Sequence, residues 1–129
     1  MEKYLMFGLL ILLSFSACDG TVQYNVFVKN NTDQEIKVIF KSPTDHQNKE
    51  EQTVEIKPQE LKQIIRTEDI DPADKSSTTA SHCTYVADYV NAFKQNSQSK
   101  IKWCDQKIKF EKTDIQQAEF TIEYTDSDF

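Results

Sequence analysis

Apolar residues recur at every second position over most of this chain. Val22, Tyr24, Val26 and Val28 alternate with Gln23, Asn25, Phe27 and Lys29, the spacing of a strand with one buried face. Asn30-Asn31-Thr32-Asp33 follows, a turn built from residue types that tolerate left-handed backbone where glycine is missing. Asn30-Asn31-Thr32 also has the form of a glycosylation sequon, read here as turn chemistry. Ile36, Val38 and Phe40 then alternate with Glu35, Lys37 and Lys41, a second strand expected to pair with the first.

Ser42 to Glu51 is polar, contains Pro43 and reads as a loop. Val54 and Ile56 mark a third short strand ended by Pro58, and Leu61 to Arg66 a fourth, in which adjacent Ile64 and Ile65 suggest a bulge. Residues 67–82 carry no apolar period. Glu68, Asp69, Asp71 and Asp74 fall there, but the glycine and distal glutamate of an EF-hand are missing, so the stretch reads as a solvated acidic loop. Tyr85, Val86, Tyr89, Val90 and Phe93 fit one helical face, while their residue types favour strand. The expectation over 84–94 is a strand, with one short helix as the alternative.

Ile101 and Trp103 alternate with Lys100 and Lys102, and Ile108 and Phe110 with Lys107 and Lys109. A two-residue turn at Asp105-Gln106 would pair Trp103 with Ile108 and Ile101 with Phe110, with lysines lining the other face. Phe120, Ile122 and Tyr124 give a closing strand before the acidic tail Asp126-Ser127-Asp128-Phe129. Seven or eight short strands and frequent turn signals define the expected fold class: mainly β, an antiparallel β-sandwich. Val26-x-Val28-Lys29-Asn30-Asn31-Thr32 through Val54-x-Ile56-x-Pro58 resembles the immunoglobulin-like modules of bacterial lipoproteins. Trp103 directly precedes Cys104 instead of lying on an earlier strand, so the strand topology is left open.

The first residues follow another pattern. Lys3 is followed by an apolar run from Tyr4 to Phe15, then by Ser16, Ala17 and Cys18, which is the layout of an export signal. About 14 residues at roughly 1.5 Å each reach about 21 Å, short of the ~30 Å hydrocarbon core of a membrane. Phe15-Ser16-Ala17-Cys18 resembles the lipobox of bacterial lipoproteins. That resemblance implies a signal peptide over 1–17, a diacylglyceryl- and palmitate-type anchor on Cys18, a tether over 18–21 and a β-sandwich domain over 22–129. It places the protein on a membrane of the bacterial cell envelope, facing the periplasm or the surface. Two or more acyl chains give stable anchoring where one gives marginal binding.

With Cys18 lipidated, Cys83 and Cys104 remain as an even pair in an oxidising compartment. A disulfide between them closes a loop of about 20 residues and stabilises by roughly 3 kcal/mol. His82-Cys83 and Cys104-Asp105 are adjacent pairs without metal-ligand spacing, so no metal and no cofactor is expected. The formal net charge is −6, which repels phosphate backbones and argues against nucleic-acid partners.

The only two glycines are Gly8 and Gly20, so the expected domain has none. That argues against the P-loop, the Rossmann fingerprint and the G-x-S-x-G elbow, each of which needs glycine for close backbone approach. His46 and His82 fall in predicted loops with no motif-placed partner. No catalytic residues are assigned. Lys100, Lys102, Lys107 and Lys109, with Lys112 beyond them, form a candidate binding surface whose plainer reading is a solvated strand face that discourages aggregation. The expected function is a non-enzymatic envelope lipoprotein presenting its sandwich to another envelope protein or glycan. The alternative is an inhibitor or immunity-type lipoprotein that blocks an incoming enzyme.

Overall fold

The computed structural model describes residues 22–42, 50–67, 83–114 and 117–129. They form two four-stranded sheets. In chain order the strands are β1 (Gln23–Asn31), β2 (Ile36–Lys41), β3 (Gln52–Ile56), β4 (Leu61–Arg66), β5 (Tyr89–Lys94), β6 (Ser97–Gln98), β7 (Lys109–Asp114) and β8 (Gln117–Thr125). The first sheet has the order β4-β1-β8-β7 and the second β3-β2-β5-β6. All pairings are antiparallel except one: β1 and β8 run parallel and in register over nine residue pairs, from Gln23 beside Gln117 to Asn31 beside Thr125.

The expected β-sandwich is therefore the architecture found. Its likeness to immunoglobulin modules is one of architecture: constant-type immunoglobulin sheets run ABED over CFG, whereas here the first and last strands lie side by side at the centre of one sheet. Alternation along those two strands is strict. Tyr24, Val26, Val28, Ala118, Phe120, Ile122 and Tyr124 are all buried. Ile36, Val38, Phe40, Ile56, Val90 and Ala92 meet them from the second sheet in one continuous core.

Two expectations are corrected. β2 does not pair with β1 but crosses to the other sheet, where it lies between β3 and β5. The cause is the four-residue link after β1, which folds around the side chain of Asn30 and ties it to Ile56 on β3. A direct hairpin would have put both apolar faces in one sheet with nothing opposite to bury them. Second, residues 101–108 are not the first arm of a hairpin. They form successive turns closed by Asp105 N–H to the Lys102 carbonyl (3.1 Å) and Ile108 N–H to the Asp105 carbonyl (3.1 Å). Ile101 and Ile108 are nonetheless buried and the intervening lysines exposed, so the period reported burial correctly and backbone conformation wrongly. The acidic tail beyond β8, for which the sequence set no conformation, folds back as a 3-10 turn, Asp126–Asp128, that sets Phe129 against Tyr124 with ring centroids 5.8 Å apart.

The ambiguous stretch after residue 83 contains both candidates. A single helical turn, Cys83–Val86, buries Cys83 and Val86, and β5 follows. The suspected bulge is present: Val26 pairs with Ile65 but Phe27 with Gln63, leaving Ile64 without an opposite residue on β1.

Left-handed backbone does occur in this glycine-free domain, but not in the turn after β1. It falls at Gln59 (φ 66°), Gln95 (φ 53°) and Cys104 (φ 67°). Gln59 is the third residue of a turn begun by Lys57-Pro58 and closed by Glu60 N–H to the Lys57 carbonyl (3.1 Å), a position that type II turns usually give to glycine. Gln95 opens the two-residue loop between β5 and β6, where hairpins also require positive φ.

Candidate functional site

Two ends of the sandwich carry most of the chemistry. At one end the short connections meet: the turn after β1, the Pro58-Gln59 turn, the Gln95-Asn96 loop and the chain's last residues. Asn30, fully buried, is their hub. Its Nδ2 donates to the carbonyls of Gln34 and Ile56, both at 2.8 Å, and its Oδ1 accepts from the Thr32 N–H (2.9 Å) and hydroxyl (2.7 Å). Its backbone N–H goes to Glu60 (3.0 Å), and its carbonyl accepts from Gln59 (2.7 Å). Every hydrogen-bonding position of the amide is used. With Nδ2 buried and doubly engaged, the folded domain has no acceptor for a glycan at Asn30.

Lys94, on β5, donates to Asp126 Oδ1 at 2.8 Å and lies 3.9 Å from Asp33. Its ammonium also sits 5.7 Å from the Phe129 ring centroid. The hydrogen bond from Lys94 holds the Asp126 carboxyl below its ordinary value, and the same bond holds the Lys94 ammonium above its own. Tyr124 lies beneath, fully buried, with no hydrogen-bond partner for its hydroxyl among the described residues. Burial pushes its phenol well above the ordinary range.

At the other end Cys83 and Cys104 form a disulfide, their Cα atoms 5.7 Å apart. The Trp103 indole N–H donates to the Cys83 carbonyl at 3.0 Å, and its ring meets Phe120 edge-on with centroids 5.5 Å apart. Phe120 also packs on Phe110 (5.1 Å) and Tyr24 (5.9 Å). Cys104 keeps its unfavourable φ because the disulfide and the neighbouring indole bond over-determine it. Beside this corner lies an open cavity of about 510 Å³, with Ile108, Phe120 and the disulfide as its apolar wall and Thr84, Asp105 and Gln106 at the rim. Its size suits a small ligand. Asp105 Oδ1 already accepts the Lys107 N–H at 2.9 Å. The cavity's chemistry is apolar contact with a polar rim.

The candidate lysines are all exposed but do not share one strand face. Lys100, whose N–H donates to the Asp128 carbonyl at 2.7 Å, Lys102 and Lys107 sit on turns. Lys109 begins β7 opposite Thr121, on the outward face of the first sheet, and Lys112 is in register with buried Ala118 on the inward face. Cys18, His46, His82, the acidic loop carboxylates Glu68 to Asp74, and the signal and tether segments lie outside the described residues.

The outer face of the first sheet holds a shallow groove of about 330 Å³, where exposed Leu61 and half-buried Phe27 are flanked by Glu119, Thr121 and Glu123. Lys29, in register with Glu123, gives its ammonium instead to the Gln59 carbonyl at 2.5 Å. Lys94 and Asp126 were not legible as a site, since their contact spans 32 residues and neither belongs to a motif. Comparisons of the chain with known protein families, with curated proteins and with solved structures find no match in any of the three.

Proposed function

We propose that this protein is a lipid-anchored lipoprotein of the bacterial cell envelope whose β-sandwich is a non-enzymatic binding domain. The observation that carries the reading is the Cys83–Cys104 disulfide. It uses two of the three cysteines, fits an oxidising compartment, and leaves Cys18 as the odd one at the end of the apolar leader. Acylated there, the domain hangs from its membrane by a tether of four residues, 18–21, before the domain begins at Val22. Its partner is an envelope protein or glycan, met through an edge strand or the loops.

The test is metabolic labelling with a palmitate analogue followed by crosslinked co-purification from native membranes, comparing wild type with Cys18→Ser. The expected result is label on wild type alone and a stoichiometric partner captured only with it. An unlabelled wild-type protein released with the soluble fraction would overturn the anchor. Robust hydrolase activity lost in His46→Ala or His82→Ala would overturn the non-enzymatic role.

A further inference from the structure

The four sheet edges are not equally protected. An exposed edge is a template for another strand, and proteins blunt edges with bulges, inward-pointing charges or very short strands. β4 has the bulge at Ile64 and points Lys62 inward, in register with buried Val28. β7 has a register shift between Lys112 and Asp114 and points Lys112 inward beside Ala118. β6 has only two residues. Among the described residues β3 has none of these devices on its own strand. Its ladder with β2 runs unbroken over five pairs, and its inward residues, Gln52, Val54 and Ile56, carry no charge.

What that edge offers can be read from one contact. The Lys62 ammonium approaches the Glu55 carbonyl at 3.5 Å, and it comes from β4, on the side away from β2. Glu55 therefore directs its backbone groups to the open edge, and with the two-residue period of an antiparallel ladder Thr53 does the same. The Lys62 contact is at the limit of hydrogen-bond length. The edge is acidic: Glu50, Glu51 and Glu55 are exposed, with Glu51 accepting the Tyr89 hydroxyl.

We propose that β3 is the edge at which the domain takes its partner: an extended segment of another protein, with basic residues at alternate positions, adds to β3 and widens the second sheet to five strands. This rests on the binding role proposed above. Charge selects the occupant. A second copy of the chain paired antiparallel about Thr53 would set Glu51 against Glu55 twice, and like charges directly opposite are destabilising. A strand with lysine or arginine at those places turns both repulsions into attractions, while main-chain bonds at Thr53 and Glu55 supply the pairing.

The probe is a capped hexapeptide of alternating lysine and valine, titrated into the full-length lipidated chain in detergent and followed by amide NMR. The expected result is saturable shifts and slowed exchange at the Thr53 and Glu55 amides, with β4 and β7 unmoved. Thr53→Pro, which removes an outward N–H that no described strand uses, abolishes this binding while the melting temperature is nearly kept. Glu55→Lys weakens the lysine peptide about fivefold to tenfold and confers binding of the glutamate–valine counterpart. Shifts centred on another edge, binding retained in Thr53→Pro, or no saturation at millimolar peptide would each overturn the assignment. If that happens while the Cys18-dependent partner is still captured, the edge assignment alone falls and the tethered-binding role stands.

Discussion

The two ends of this sandwich are closed by opposite means. Where the short connections meet, closure is polar and comes from one buried amide, Asn30, holding three segments by their backbones. At the other end closure is covalent and aromatic: the Cys83–Cys104 bond, the Trp103 indole and the cluster around Phe120. The difference follows loop length. Turns of two to four residues place backbone groups close enough for a single side chain to satisfy them. The disulfide end is where β2 leads to β3 and β4 to Cys83 through long connections. The bond itself spans neither of them: it closes the 21-residue separation from Cys83 across β5 and β6 to Cys104, and restricts the unfolded chain over that loop.

The largest expected effect breaks the polar end. Asn30→Ala leaves the Gln34 and Ile56 carbonyls and the Thr32 donors without their buried partner, and costs about 3–4 kcal/mol in urea unfolding. Asn31→Ala next to it costs well under about 1 kcal/mol. A loss at Asn30 no greater than at Asn31 would show that the hub is not what closes this end. Breaking the covalent end comes next. Cys83→Ala with Cys104→Ala loses about 3 kcal/mol on the loop-closure account. Trp103 fluorescence shifts to the red as the indole loses its place, and an unchanged midpoint would sink the comparison at that end.

Gln59→Gly sharpens the contrast from the polar side. It removes a side chain from left-handed backbone at a turn where only main-chain bonds are made, and is expected to stabilise by about 0.5–1 kcal/mol after glycine's own entropy cost. Glycine at Cys104 carries no such gain, because the disulfide is lost with it. A lower melting temperature for Gln59→Gly would contradict the strain at that turn.

The smallest effect is in pH. Asp126 is depressed by Lys94, so its contribution is present above the unfolded carboxyl value near about 4 and is lost as pH falls through the folded value. Lys94 is raised, so its contribution is present below about 10 and is lost as pH rises past that range. Melting temperatures scanned from acid to neutral should show a small step below about pH 4 that Lys94→Met lacks. The disulfide end should show none of it, and the same acid step in Lys94→Met would assign the pH effect elsewhere.

Much of this was legible in particular residues. Strict alternation from Val22 to Val28 and from Ala118 to Tyr124 located β1 and β8, and Ile64-Ile65 located the bulge. The same rule failed at 101–108, where alternation of burial arose from turns pinned by Asp105 and the disulfide. The cysteine pair followed from counting. The candidate surfaces did not: Lys94 with Asp126 and the open edge of β3 depend on which strands neighbour which, and no local pattern carries that.

The sequence by itself determined most of the longer strands and their buried faces, the disulfide pair and the absence of glycine-dependent motifs from the expected domain, but not β6 or the turns at 101–108, because side-chain period and residue chemistry act locally. Tertiary structure alone decided that β1 pairs parallel with β8 at an offset of 94 residues, that β2 leaves for the other sheet, and that β3 lies at an edge of the second sheet among the described strands. Each apolar face could have been buried against several partners. Which one wins is set by the packing of all eight strands together and by the polar groups, above all Asn30, that must find partners once buried.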